Sequence, residues 1–184
     1  MKYFTADLHF GHPMVAAFRG FIKDEILMEK FERDVEVFGY AQAQQNLTDY
    51  AQEEHISFKK IGDVDAHNAK IVENINQSVG ADDELYVLGD VSKKITKESM
   101  RAWVFKIACK NRYLSKGNHD SNAEEEYLPV FNTVKESDEI QIRDIKLLLA
   151  HYPYEDSRAP VNTGEWLLCG HTHTREKYNL NQPK

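Results

Sequence analysis

Five times in this chain a short apolar run ends abruptly in residues able to bind metal or move protons, and no other feature constrains the fold as tightly. Lys2 to Ala6 runs into Asp7 and His9, and Glu84 to Leu88 into Gly89 and Asp90. Arg112 to Leu114 leads to Gly117, Asn118, His119 and Asp120; Ile145 to Ala150 stops at His151; Trp166 to Cys169 reaches Gly170, His171 and His173. Runs this short, closed by glycine or polar residues, read as strands. Ligands of open α/β sheets gather beyond the carboxyl ends of the strands, so five such ends imply one shared site.

Taken singly, none of these segments is informative. Ser115 to Asp120 (Ser-Lys-Gly-Asn-His-Asp) reads locally as an ordinary polar turn, with Gly117 at positive φ and Asn118 and Asp120 bonding nearby backbone. A lone histidine is usually a solvated or internally satisfied imidazole. Of the eight histidines, however, five follow these strands and a sixth, His12, lies in the first loop. Scattered residues would not fall this way.

The segments between the strands read mainly as helices. Leu27, Phe31, Val35 and Phe38 form a helical stripe, whereas Ala41 to Glu54 has none as clear and reads as a polar helix or insertion. Asp65 is the expected cap of a helix carrying Ile71, Ile75 and Val79 on one side. Ile95 and Met100 flank Thr96 as a staple around an N-cap, and Trp103, Val104 and Ile107 continue that buried face. Ile140 and Ile142 alternate with polar residues up to Arg143 and Asp144, a hairpin turn that delivers His151. Gly62-Asp63 and Asp65-Ala66-His67 imitate the strand-end motifs, but no apolar strand precedes them, so both belong to a helix start. His67 and Asn68 are therefore kept out of the metal set.

Length and charge narrow the function. At 184 residues, 41% apolar and 29% charged, the chain is expected to form one soluble domain, residues 1–184, with a polar helical insertion at about 32–64. No apolar run approaches the roughly 20 residues of a membrane helix, and no targeting segment is visible. Cys109 and Cys169 are isolated in apolar surroundings, which fits reduced thiols and a cytoplasmic location. A net charge of −7 argues against an extended nucleic-acid surface and leaves small anionic substrates open.

Oxygen and imidazole donors without thiolates suit hard-to-borderline divalent ions: manganese first, with iron, zinc or nickel as alternatives. Two ions roughly 3.5–4 Å apart can clamp the oxygens of an in-line phosphoryl displacement. Such a pair needs a bridging carboxylate, and Asp90 stands alone on its strand.

The order Asp7-x-His9, Gly89-Asp90, Gly117-Asn118-His119-Asp120, His151 and Gly170-His171-x-His173 resembles the five blocks of the calcineurin-like metallophosphoesterase superfamily. The opening Asp7-Leu8-His9-Phe10-Gly11-His12 is similar to that of its small phage and bacterial members, which implies the cytoplasm of a bacterial or phage-infected cell. The resemblance spans residues 3 to 173. It implies a four-layer α/β/β/α sandwich of two mixed sheets, with a dimetal site at the strand C-terminal ends. Asp7, His9 and His173 would hold the first ion, Asn118, His151 and His171 the second, and Asp90 would bridge them. His119 would protonate the leaving oxygen, with Asp120 orienting its imidazole and raising its tendency to carry a proton. A metal-bridging hydroxide would be the nucleophile. His12 and Arg19 read first as loop or surface residues, yet either can meet a bound phosphate, as can Asn118.

The expected activity is phosphodiester hydrolysis on small or 2′,3′-cyclic nucleotides; alternatives are a nuclease or phosphomonoesterase with the same site, and a non-catalytic binding scaffold. Three departures matter. Ser92 stands where many relatives have an acid, and there is no arginine block like that of protein Ser/Thr phosphatases. Only eleven residues follow His173, so the second sheet is expected to be completed otherwise, by a partner or homo-oligomer, or to lack its last strands.

Overall fold

The computed structural model describes residues 1–120, 124–162 and 164–173. The chain divides into two compact units, one made of Met1–His9 with the chain from Val72 onward, the other of Phe10–Ile71.

The first unit carries both sheets. Strands β1 (Lys2–Thr5), β2 (Glu84–Leu88), β3 (Asn111–Ser115) and β4 (Thr133–Lys135) lie in that order and pair in parallel throughout. Strands β5 (Ser137–Ile142), β6 (Ile145–Ala150) and β7 (Trp166–Leu168) form the second sheet, antiparallel between β5 and β6 and parallel between β6 and β7. The expectation of two mixed sheets therefore holds for the second only. The first is parallel among the described residues because each connection crosses over rather than forming a hairpin. The β5–β6 hairpin turns at Arg143 and Asp144, Arg143 with φ 54°, as the alternation predicts. The short β4 has no counterpart in the sequence reading: three residues are too few for a pattern.

Apolar side chains of both sheets meet in one cluster. Phe4, Tyr86, Leu88 and Tyr113 come from the first sheet, and Ile140, Leu147, Leu149 and Leu168 from the second. Phe4, Tyr86 and Tyr113 stack across β1, β2 and β3 with centroids 5.4 and 4.8 Å apart. Burial of this kind is worth about 25 cal/mol per Å² of apolar surface, which pins the strands and hence their ends. Helix α6, numbered in chain order with the elements below, covers Lys97–Val104 and is capped by Thr96, which accepts from Ser99 N–H, as expected.

In the second unit, α1 (Pro13–Phe18), α2 (Glu25–Phe38), α3 (Tyr40–Glu53) and α4 (Phe58–Ile61) surround Ala17, Ile22, Phe31, Ala43, Leu47, Ala51 and Ile61. The glutamine-rich stretch is thus a regular helix. Its buried residues Ala43, Leu47 and Ala51 recur every four positions, a stripe made inconspicuous by two alanines. In α2 the anticipated stripe shifts: Phe38 is exposed at the C-terminus, while Asp34 is buried and accepts from Asn46 Nδ2 at 3.1 Å. Helix α5 (Val64–Ser78) begins one residue before the expected cap. Asp63, not Asp65, accepts from Ala66 N–H at 3.0 Å, so the Gly62-Asp63 imitation is a helix start. The expectation about strands beyond His173 falls on residues 174–184, outside the described residues.

Candidate metal centre

Every histidine and carboxylate of the five strand-end blocks lies in the first unit. Backbone pairing continues past the strands: Asp7 N–H donates to Gly89 C=O at 3.0 Å and His9 N–H to Asp90 C=O at 2.9 Å. Beyond that point the chain takes an unusual turn. Asp7, His9, Asp90, His171 and His173 all have positive φ, between 50° and 71°. Each such non-glycine residue costs roughly 1–2 kcal/mol, and such strain collects where function requires a fixed geometry.

Asp7, His9, Asp90 and His173 each offer a ligand atom within 4.8 Å of the others. His9 Nε2 lies 3.0 Å from His173 Nε2, 3.9 Å from Asp7 Oδ1 and 3.7 Å from Asp90 Oδ2, and His173 Nε2 is 3.4 Å from Asp7 Oδ1. A second group also reaches Asp90. His151 Nε2 is 3.6 Å from Asp90 Oδ2, 3.2 Å from Asn118 Oδ1 and 3.2 Å from His171 Nδ1. His151 Nδ1 donates to Leu88 C=O at 2.9 Å, which leaves the Nε2 lone pair facing this group. Metal-binding histidines are commonly fixed in this way through their second nitrogen. Asp7, His9, Asp90 and His151 are buried, and burying facing lone pairs and carboxylates is costly unless a cation joins them. Oxygen and imidazole donors without a thiolate fit hard-to-borderline divalent ions.

The turn after β3 is built around Asp120. Its Oδ2 accepts from the N–H groups of Asp90 and Gly117, both at 2.8 Å, its Oδ1 from Val91 N–H at 2.9 Å, and Tyr127 Oη donates at 3.5 Å. The carboxylate therefore ties the two loops together, rather than orienting the His119 imidazole as the sequence suggests. Burial pushes its pKa up to about 6 against the pull of those N–H groups. Gly117 also differs from expectation: its φ is not positive, and glycine is needed because a Cβ would come within 2.3 Å of Asp90 Oδ1.

His119 N–H donates to Asp90 Oδ1 at 2.8 Å, and its Nε2 lies 3.9 Å from Asp90 Oδ2. The ring edge is met by Lys93, whose Nζ donates to Nδ1 at 2.6 Å and lies 3.3 Å from Nε2. Burial holds the imidazole below its usual range; Asp90 opposes this and Lys93 adds to it. The raised proton affinity expected from Asp120 is not what these contacts produce. Sequence reasoning missed Lys93, whose only signal is a lysine pair just after Gly89-Asp90. It also missed Asp156 and Arg158, paired at 2.8 and 2.7 Å, with Arg158 Nη2 3.3 Å from His171 Nε2 and stacked over Tyr152. Burial, His151 and Arg158 together lower the His171 pKa.

His12 and Arg19 belong to the second unit. His12 is buried, not exposed, and its Nδ1 caps α1 by accepting from Val15 N–H at 3.3 Å. Arg19 Nη1 donates to His67 Nε2 at 3.0 Å, and His67 Nδ1 donates to Asn68 Oδ1 at 3.3 Å. Among the described residues the buried Asn68 Nδ2 has no partner. Burial, then the Arg19 charge, lowers the His67 pKa to about 4. Because this lies below the unfolded value of about 6.5, His67 stabilises the fold fully above that pH and loses its contribution as pH falls toward 4. We expect acidification across this window to cost on the order of 3 kcal/mol, and His67→Gln to flatten that part of the Tm-versus-pH curve. Curves of equal slope for both proteins would contradict the assignment.

Three comparisons bear on this site. Residues 61–182 match the model of the calcineurin-like phosphoesterase superfamily domain, and the chain belongs to that superfamily. It is 28% identical over 199 residues to the Gene 66 protein of Mycobacterium phage L5, an alignment covering 94% of this chain and 77% of the relative. It also resembles the crystal structure of a protein of unknown function from Aquifex aeolicus, with a TM-score of 0.52 and 18% identity, over 85% of this chain and 63% of that one. The second likeness concerns the fold alone. Family membership brings phosphoester hydrolysis with divalent metals. Among the described residues no helix is long and apolar enough to cross a membrane.

Proposed function

We propose that the protein hydrolyses phosphodiesters with two divalent ions, manganese first, for which Asp90 would be a shared ligand. One observation carries this reading: Asp90 Oδ2 lies 3.7 Å from His9 Nε2 and 3.6 Å from His151 Nε2, so a single buried carboxylate oxygen faces both donor groups. Asp7, His9 and His173 form one set, Asn118, His151 and His171 the other. When bound, the ions supply Lewis acidity that lowers the pKa of water toward roughly 7 and neutralises charge on the phosphoryl oxygens. His119, held by its own N–H on Asp90 and by Lys93 at its ring edge, donates the proton that the departing oxygen takes. Asp120 keeps the two loops in register.

Small nucleotides, 2′,3′-cyclic monophosphates among them, are the proposed substrates, in the cytoplasm of a bacterial or phage-infected cell. The acidic balance of the chain supports small over extended substrates. By their chain positions after the first block, His12 and Arg19 are assigned to the substrate phosphate. The four-layer arrangement of sheets and helices belongs to the same reading. A panel of cyclic nucleotides, linear diesters and monoesters, each with manganese, zinc, nickel and iron, tests it. Cyclic and linear diesters should turn over faster than monoesters; faster monoesters would replace the diesterase by a monoesterase, and no turnover of any member would favour the binding scaffold.

A further inference from the structure

Beside His119, on the side where Lys93 meets the ring, the first unit opens a groove of about 220 Å³ lined by Ser92, Lys93, Lys94, Lys97, Glu126 and Tyr127, among others. Its charge is unlike the rest of the chain. Against a net charge of −7, three lysines meet here within five residues, Lys94 and Lys97 exposed and Lys93 half-buried. Two carboxylates also border the groove. Asp120 is held by three backbone N–H groups and the Tyr127 hydroxyl, so among the described lining residues Glu126 is the acid left to meet the three lysines. Both Lys94 and Lys97 are exposed, and the charge of Lys97 is felt by its chain neighbour Glu98. The loop holds Lys94 at φ 63°, a left-handed conformation costly for a residue with a Cβ. The lysines of the lining suit an anionic group, a phosphoryl group above all.

We propose that this groove is a subsite for an additional phosphate carried by the leaving group, so that preferred substrates are phosphodiesters or phosphoanhydrides whose departing part bears its own phosphate. The proposal rests on the reading of His119 as donor to the departing oxygen: the groove is lined by His119 itself, so its occupant belongs to the leaving group. Lys93 then touches both the imidazole edge and the groove and links binding of that phosphate to the placement of the proton donor. Lys94 and Lys97 supply the rest of the charge. Ammonium groups bind phosphate as point charges, so the recognition is of charge and position rather than of a particular base.

Two measurements on Lys94→Ala/Lys97→Ala and on the matching double arginine variant test this. The first needs no catalysis: calorimetric binding of inorganic pyrophosphate to the full chain in EDTA, where metal cannot contribute. The alanine variant should bind about tenfold or more weakly, the arginine variant should recover most of the affinity, and the parent protein should lose affinity steeply with salt. The second is the ratio of kcat/KM for a diester with a phosphate-bearing leaving group to that for bis(p-nitrophenyl) phosphate. That ratio should fall by about tenfold in the alanine variant. Equal pyrophosphate affinity in parent and alanine variant, or an unchanged ratio, overturns the subsite. If no diester is hydrolysed by any form, the proposed function fails, and pyrophosphate binding alone then decides whether the groove takes phosphate. Lys94 and Lys97 are exposed, so loss of folding does not confuse the comparison, and far-ultraviolet circular dichroism checks it.

Discussion

Asp90→Asn is expected to lower kcat/KM for bis(p-nitrophenyl) phosphate by about 10³-fold or more, because in the proposed reading one carboxylate would support both ions and metal-based charge stabilisation would supply several kcal/mol of the barrier reduction. The substitution is nearly isosteric. An asparagine oxygen can still accept from His119 N–H, now bonded to Oδ1 at 2.8 Å, while the amide would present N–H groups to His9 and His151. The fold should therefore survive. Metal-free parent and variant should melt within a few degrees of each other. Manganese should raise the Tm of the parent and leave that of the variant nearly unmoved, since only a ligand bound to the native state stabilises it. A variant that keeps both the metal-induced Tm rise and the activity would remove Asp90 from the bridging position.

His119→Ala should cost about 10²–10⁴-fold in kcat, the range for losing a positioned proton donor. The size of the loss should depend on the leaving group. p-Nitrophenolate departs without help, whereas an alkoxide or ribose oxygen does not, so the deficit should be largest for the poor leaving groups. Metal content should be unchanged, because His119 reaches Asp90 through its backbone N–H and the alanine retains that group. Equal losses across leaving groups would reduce His119 to a phosphate-binding role.

Much of this site is legible in the sequence because each residue is delivered by the end of a short apolar strand, and strands announce themselves locally. Asp7, His9, Asp90, Asn118, His119, His151, His171 and His173 could be named from that alone, and the structure brings them together. What surrounds them was not legible. Asp120 reads as a partner for the adjacent imidazole, but two of its hydrogen bonds go to the backbone of a loop about thirty residues away. Nothing in the spacing announces that. Gly117 reads as a turn residue, yet its missing Cβ makes room for Asp90 Oδ1, a contact that exists only once two loops meet. Lys93, Asp156 and Arg158 lie in loops without periodicity, so their approach to His119 and His171 depends on tertiary packing. In the second unit, the stripe of α3 is hidden because alanine is a weak hydrophobic signal, and Asp34 is buried because α3 supplies Asn46 as its partner.

The central claim is that two divalent ions share Asp90 and that hydrolysis depends on both. Protein stripped with chelator and titrated with manganese, with bound metal counted by mass spectrometry and bis(p-nitrophenyl) phosphate hydrolysis followed in parallel, tests it most directly. The account predicts no turnover in the stripped protein, two ions bound per chain at saturation, and activity that reaches its maximum only as the second ion binds. Saturation at fewer than two ions per chain with full activity, or full hydrolysis in the presence of chelator, would contradict it.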